Sequence, residues 1–152
     1  MYSPQRDDEV TGIANYVDQQ LDAIRAAAFG LTETQLRETP CRSALSVGGV
    51  IKHVLDGMHG AVARLAGTVD APVVDDAGIA RYLAAFVVGQ DESVDDLLRD
   101  FDAARVQLRT AILASDPDSD VVAPPSPWYG QFDAQPIRLR YFLVPLIEEY
   151  AR

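Results

Sequence analysis

Apolar residues recur at three- and four-residue spacing along four long segments of this 152-residue chain. The clearest of these stripes lies in the second segment and consists of Val47, Val50, Ile51, Val54, Leu55, Met58, Val62 and Leu65. Such spacing places the side chains on one face of an amphipathic helix. Ser46 is a good N-cap for this helix, because its hydroxyl can accept from a backbone N–H in the first turn. The spacing therefore predicts a helix from about Ser46 to Ala66.

The same pattern predicts three further long helices. The first covers about residues 7–29, the next begins at the N-cap Ser93, and the last has Pro136 in its first turn. Pro145 lies inside the last segment, where it should bend the helix or interrupt its hydrogen bonding. Four long helices with almost no strand-type alternation predict an all-α fold, an up-down four-helix bundle.

Shorter pieces fill the connections between these helices. Residues 33–37 and 77–88 are expected to form short extra helices, whereas residues 115–135 carry four prolines and exclude helix or central strand. Trp128 and Tyr129 lie in this last loop. They pack as a lid on the edge of the bundle or stack on a ligand, and the sequence leaves both interpretations open.

Length, charge and cysteine content limit the classes of function. Residues 1–152 are long enough for a single domain with a sizeable core. A net charge of −10 argues against nucleic acid or an anionic membrane as a partner. No apolar run approaches the ~18 residues of a membrane span, and residues 1–9 contain no apolar signal region. Cys41 is the only cysteine, which excludes an internal disulfide. These features predict a cytoplasmic protein.

Both histidines lie in the helix predicted at residues 46–66. His53 falls roughly 140° from the centre of the apolar stripe, which by itself predicts a water-facing side chain. However, Gly49 and Gly57 flank it at four-residue spacing with Gly60 close by, and each glycine inside a helix costs about 1 kcal/mol. The glycines indicate that a neighbouring helix or a ligand comes close. His53 is therefore either a ligand-binding residue or a surface residue, and His59 is expected to be exposed.

Two further groups of residues are candidates for chemistry. Cys41 could form a thiol–imidazole pair with His53, although a lone cysteine is more often a small buried residue. Glu148 and Glu149 lie in a mostly apolar segment, so one of them must face the edge of the bundle. A salt bridge from this pair to an arginine such as Arg140 or Arg64 is the simplest interpretation.

Four stretches of the chain resemble the actinobacterial branch of the DinB-like superfamily: residues 31–36, 43–53, 139–144 and 146–152. They occur in the same order and at similar spacing. The resemblance implies an up-down bundle of four helices, often a homodimer, with a divalent metal such as zinc or nickel held at one end. It also implies a small-molecule thiol substrate, because the superfamily includes transferases and isomerases that use mycothiol or bacillithiol.

The resemblance carries His53 over as a metal ligand, with Glu149 or Glu148 as carboxylate ligands. Pro145 stands where relatives commonly have a histidine, and Met58 stands where they often have an acidic residue.

Relatives continue past Arg152 into a further histidine-containing segment, so the chain is expected to be either a truncated version or one with a degenerate site. Two functions follow from these observations. The first is a metal-dependent, thiol-cofactor-using transferase or hydrolase. The second is a non-catalytic dimeric bundle that binds a partner.

Overall fold

A computed structural model of the chain describes residues 7–68, 76–123, 125 and 130–151. In these ranges the chain is mostly helical and carries one small sheet. The elements, in chain order, are α1 (Glu9–Ala26), α2 (Glu33–Arg37), α3 (Val47–Leu65), α4 (Asp76–Ala84), α5 (Val94–Leu113), β1 (Asp120–Ala123), β2 (Gln135–Arg138) and α6 (Arg140–Ala151). The predicted lid residues Trp128 and Tyr129 lie outside the described residues.

Side-chain caps begin three of the long helices where the sequence predicts them. Ser46 Oγ accepts from the backbone N–H of Gly49 at 3.0 Å, and Ser93 and Asp8 cap α5 and α1 in the same way. Each cap satisfies a backbone donor that the first turn of a helix leaves unpaired. The predicted end of α1 is less accurate, because the helix stops at Ala26 instead of Phe29.

The buried faces of α1, α3, α5 and α6 form one apolar core. Helix α5 packs beside both α3 and α1, and α1 packs beside α6. The largest fully buried side chains are Leu21, Ile51, Met58, Phe101, Leu108, Ile112 and Leu143. Met58, at the position where the resemblance implies an acidic residue, has no exposed surface. It fills a part of the core where a carboxylate would lose its hydration.

A two-stranded antiparallel sheet corrects the prediction of an all-helical chain. Strands β1 and β2 pair with Val122 opposite Pro136. Pro136 thus lies in a strand, and the last helix begins only at Arg140. Both strands of a two-stranded sheet are edge strands, which is where a proline without an N–H is tolerated. Each strand has four residues, too few for alternation to stand out in the sequence.

The other departures from prediction concern the ends of elements. Helix α4 stops at Ala84, and residues 85–92 continue as turns and loop instead of the predicted helix. Pro145 lies on the exposed side of α6, and the helix continues past it to Ala151. None of the described helices is long and apolar enough to cross a membrane.

Candidate functional site

One open cleft, with a volume of about 610 Å³, brings His53, Glu149 and Cys41 together. Its walls come from the end of α1, the loop before α3, one side of α3, the segment after α4 and the end of α6. We call it the His53 cleft. It is lined by Ile24, Ala27, Cys41, Ser43, Leu45, Ser46, Val47, Val50, Ile51, His53, Val54, Gly57, Phe86, Glu149 and Tyr150.

Aromatic contacts fix the orientation of the His53 ring. The ring stacks on Phe86, with 3.9 Å between the ring centroids and an angle of 18° between the planes. Tyr82 meets it edge-on, with 5.7 Å between centroids and an angle of 90°. His53 is half-buried, whereas His59 on the same helix is exposed as predicted. The surface interpretation of His53 therefore does not hold.

The nitrogen atoms of His53 have no protein partner in the described ranges. Nδ1 is enclosed and makes no hydrogen bond. A buried polar atom without a partner costs about 1–3 kcal/mol, so such atoms need a reason to persist. Nε2 also lacks a hydrogen bond to described residues but is not enclosed, since only Nδ1 of this ring is both buried and unpaired. Nε2 is therefore the ring nitrogen of this cleft-lining residue that has exposed surface and no protein partner.

A network of charged side chains holds the segment of residues 85–92 against α2 and α3. Lys52 Nζ donates to the carbonyl of Val87 at 2.9 Å and to Glu92 Oε2 at 2.7 Å. Glu92 Oε2 also accepts from the N–H of Gly89 at 2.6 Å, and Arg37 Nη1 donates to the Gly89 carbonyl at 2.6 Å. The Lys52 and Gly89 hydrogen bonds lower the pKa of Glu92. The network thereby positions the segment that carries Phe86.

The glycines around His53 have two different roles. A Cβ at Gly49 would lie 2.1 Å from the carbonyl oxygen of Phe86, so only glycine allows this close approach. A Cβ at Gly57 or Gly60 would meet no atom within 4 Å, and Gly57 lines the cleft. A close neighbour is therefore present at Gly49, but it is the turn after α4 and not the predicted helix. At Gly57 the glycine leaves open space beside His53.

The end of α6 supplies two polar groups to the cleft. Tyr150 is 4% exposed, and in the described part of the chain its hydroxyl makes no hydrogen bond and is not enclosed. Burial, and secondarily the charge of Glu149, raises the pKa of Tyr150 above its usual value. The hydroxyl is therefore protonated at neutral pH and can donate to a molecule in the cleft.

The predicted salt bridge from the glutamate pair to Arg140 or Arg64 is wrong for Glu149. Arg140 pairs with Glu9 at 3.2 Å and with Asp118 at 2.5 Å. The Arg64 guanidinium lies over the ring of Phe142, 4.8 Å from its centroid. Within the described ranges Glu149 has no ion pair; the residue is exposed and lines the edge of the cleft without a counter-charge.

Cys41 differs from both interpretations of the sequence. Its side chain is exposed on the loop before α3, where a small buried residue was the simpler expectation. It shares the cleft with His53, but no hydrogen bond joins the two among the described residues. The loop between Pro40 and Ser46 has no regular structure, so the sequence could not indicate how far Cys41 is exposed.

Only some of the metal ligands implied by the resemblance lie in the His53 cleft. His53 and Glu149 line the same cleft, whereas Glu148 is not among the lining residues. Over the described ranges, no group of three or more histidine, cysteine, aspartate or glutamate side chains could hold a metal ion. A catalytic divalent site uses about three protein ligands. The described residues by themselves do not fit that donor set.

Two residues of the cleft were missed by the sequence analysis. Phe86 lies in a segment interpreted as the end of a short helix, and no signal in the sequence links it to His53. Tyr150 follows directly after Glu149, and this position could have suggested a place in the cleft. Both were missed because their role depends on segments that are distant in the chain.

Comparison with known proteins assigns the chain to a family. Residues 12–152 match the model of the family described as Mycothiol-S-transferase, which covers most of the chain. No curated protein and no solved structure is similar enough to this chain to count as a match. The match is consistent with the resemblance to the DinB-like superfamily, which covers residues 31–36, 43–53, 139–144 and 146–152. The chain therefore belongs to the mycothiol-S-transferase family.

Proposed function

We propose that this protein conjugates mycothiol, through its thiol sulfur, to a small electrophilic molecule bound in the His53 cleft. The observation that carries the proposal is His53 itself, a ring fixed by stacking whose accessible nitrogen has no protein partner. Family membership supports a thiol as the first substrate and favours the transferase over a non-catalytic bundle. In this proposal α1, α3, α5 and α6 are the four helices of an up-down bundle.

In the proposed reaction His53 Nε2 acts as the general base. It takes the proton of the mycothiol thiol, because the thiolate is a far better nucleophile than the thiol. The thiolate sulfur then attacks an electrophilic carbon, an S–C bond forms, and the leaving group departs with the bonding electron pair. The proton on His53 returns to the leaving group or to water. A positioned general base of this kind contributes about 10²–10⁴-fold to a rate.

Two other features of the cleft assist this step. The Tyr150 hydroxyl donates a hydrogen bond to the sulfur as negative charge develops on it. The apolar side chains of Ile51, Val54 and Phe86 reduce the access of water and so strengthen the interaction between the imidazolium and the thiolate.

A comparison of the two histidines tests the proposal. We expect the wild-type protein to conjugate mycothiol with a fluorogenic alkyl halide such as monochlorobimane. We expect His53→Ala to lower kcat/KM at least a hundredfold, whereas His59→Ala on the exposed side of α3 keeps wild-type activity. Equal activity of the two variants, with both folded by circular dichroism, would sink the role of His53.

The metal-ligand roles of His53, Glu149 and Glu148 stay predictions, and no step above depends on a metal. Elemental analysis of the purified protein tests them, with His53→Ala and Glu149→Gln beside the wild type. Stoichiometric zinc or nickel that both variants lose would support the ligand set. The same metal content in all three proteins would remove these residues from it. The homodimer and the cytoplasmic location also stay predictions from the sequence.

A further inference from the structure

The walls of the His53 cleft restrict the second substrate, the electrophile. Apolar side chains form most of the lining, with Ile24, Leu45, Val50 and Phe86 on different walls. Apolar walls favour a ligand that gives up little hydration on binding. From this lining and its charges we infer that the electrophile is uncharged and largely apolar, and not a carboxylate or phosphate. The inference rests on the proposed transferase function.

The charges of the cleft are one-sided. Glu149 is the only carboxylate in the lining, and among the described residues no lysine or arginine lines the cleft. Arg25 and Lys52 lie next to lining residues, but each is already paired, with Asp102 at 3.0 Å and with Glu92 at 2.7 Å. Among the described residues, therefore, the lining offers no lysine or arginine to an anionic group, and neither Arg25 nor Lys52 beside it is unpaired.

Proton transfer from the thiol to His53 leaves the net charge inside the cleft unchanged. It creates an imidazolium on His53 and a thiolate on the first substrate, and these two charges neutralise each other. An anionic electrophile would then add a second negative charge near Glu149. Glu149 is exposed, so water screens part of this repulsion, but like charges a few ångströms apart still lower affinity about tenfold.

Among the described residues, Arg42 is a nearby unpaired cation that needs a control. It is exposed, lies between the lining residues Cys41 and Ser43, and has no ion pair with a described carboxylate. A long arginine side chain in such a loop could reach an anionic substrate. The experiment therefore includes Arg42→Gln.

The first measurement compares two electrophiles of similar shape, chlorodinitrobenzene and chlorodinitrobenzoate, with mycothiol as the thiol. In both reactions the S–C bond forms, the C–Cl bond breaks and chloride leaves. We expect kcat/KM of the wild-type protein, divided by the uncatalysed rate constant, to be at least tenfold higher for the neutral compound. An equal or higher value for the carboxylate would overturn the inference, as would a carboxylate activity that Arg42→Gln abolishes.

The second measurement does not depend on turnover. Calorimetry gives the affinity of the wild-type protein, Glu149→Gln and Glu148→Gln for the two mycothiol conjugates. We expect the neutral conjugate to bind about tenfold more tightly to the wild type. Only Glu149→Gln should reduce this difference in affinity between the neutral and the anionic conjugate, because Glu148 does not line the cleft. A ratio that Glu149→Gln leaves unchanged would overturn the inference. If neither electrophile is conjugated and neither conjugate binds, the proposed function itself fails.

Discussion

The charged groove beside α5 and the His53 cleft differ in whether their charged and polar side chains have protein partners. The groove has a volume of about 450 Å³ and is lined by Asp18, Asp102, Arg105, Val106, Arg109, Thr110 and Leu113. In the groove Arg105 pairs with Asp18 at 2.5 Å and also with Asp22. In the cleft, by contrast, Glu149 and the ring nitrogens of His53 have no partner among the described residues.

This difference separates a structural site from a binding site. The ion pairs of the groove join α1 to α5. The charge of Arg105 is satisfied by the protein itself. Arg109 Nη1 is buried without a hydrogen bond, but it lies 3.6 Å from the carboxylate of Asp18, so its charge also has a counter-ion. In the cleft, desolvation of His53 Nδ1 is not compensated by the protein. Functional sites are where such uncompensated groups concentrate.

The largest effect is expected at the wall of the cleft. Gly49→Ala should lower the free energy of unfolding by about 2 kcal/mol, because the new methyl group would overlap the Phe86 carbonyl. Gly57→Ala on the same helix should raise it by up to about 1 kcal/mol, since alanine favours helix and the position is open. Chemical denaturation of both variants measures the difference. Equal stabilities would contradict the close approach at Gly49.

A smaller effect is expected for the hydroxyl of Tyr150. Tyr150→Phe should lower kcat/KM for mycothiol conjugation about tenfold, the value of one hydrogen bond to a charged sulfur. Tyr141→Phe is the matched control, because Tyr141 lies on the same helix and is 69% exposed. Steady-state kinetics of both variants decides between them. If the two losses are alike, the hydroxyl of Tyr150 does not act on the substrate.

The groove should respond in stability and not in activity. Arg105→Ala removes ion pairs to Asp18 and Asp22 and should cost about 1 kcal/mol, given that the arginine side chain is 21% exposed. This loss of stability should be smaller in 1 M salt, because the Debye screening length is then only about 3 Å. Because the groove lies outside the proposed site, kcat/KM should stay at the wild-type value. A large loss of activity in a folded Arg105→Ala variant would end the distinction between groove and cleft.

The smallest effect concerns the network behind Phe86 and depends on pH. The pKa of Glu92 is lowered from its ordinary value of 4.5, chiefly by the hydrogen bond from Lys52. A carboxylate with a lowered pKa stabilises the fold above that ordinary value and loses this contribution as pH falls through its folded-state pKa. Glu92→Gln should therefore cost about 0.5 kcal/mol at pH 7, because Glu92 is 46% exposed.

Thermal unfolding of the wild type and Glu92→Gln across the acid range checks this sign. The gap between the two melting temperatures should close as the pH falls below 4.5. A gap that widens in acid would mean that Glu92 is not held as a carboxylate by Lys52.

Some parts of the site were accessible from the sequence. His53 could be singled out because its neighbours Gly49 and Gly57 lie on its own helix, where spacing alone fixes which residues share a face. Glu149 followed only from the resemblance. Phe86 could not be found, because its contact with His53 depends on how residues 85–92 leave α4. The strand at Pro136 was missed for a related reason: its pairing with Val122 joins residues across a proline-rich loop.

The sequence by itself determined most of the extent of the long helices and the N-caps at Ser46 and Ser93, since periodicity and capping act between residues a few positions apart. The tertiary structure decided which polar groups find partners. Arg105 meets aspartates on another helix, whereas Glu149 and His53 meet a cleft. Pairing requires segments that are far apart in the chain to come within about 3 Å, a distance that local pattern does not encode. The groups left unpaired by that packing are the ones we propose to act on the substrate.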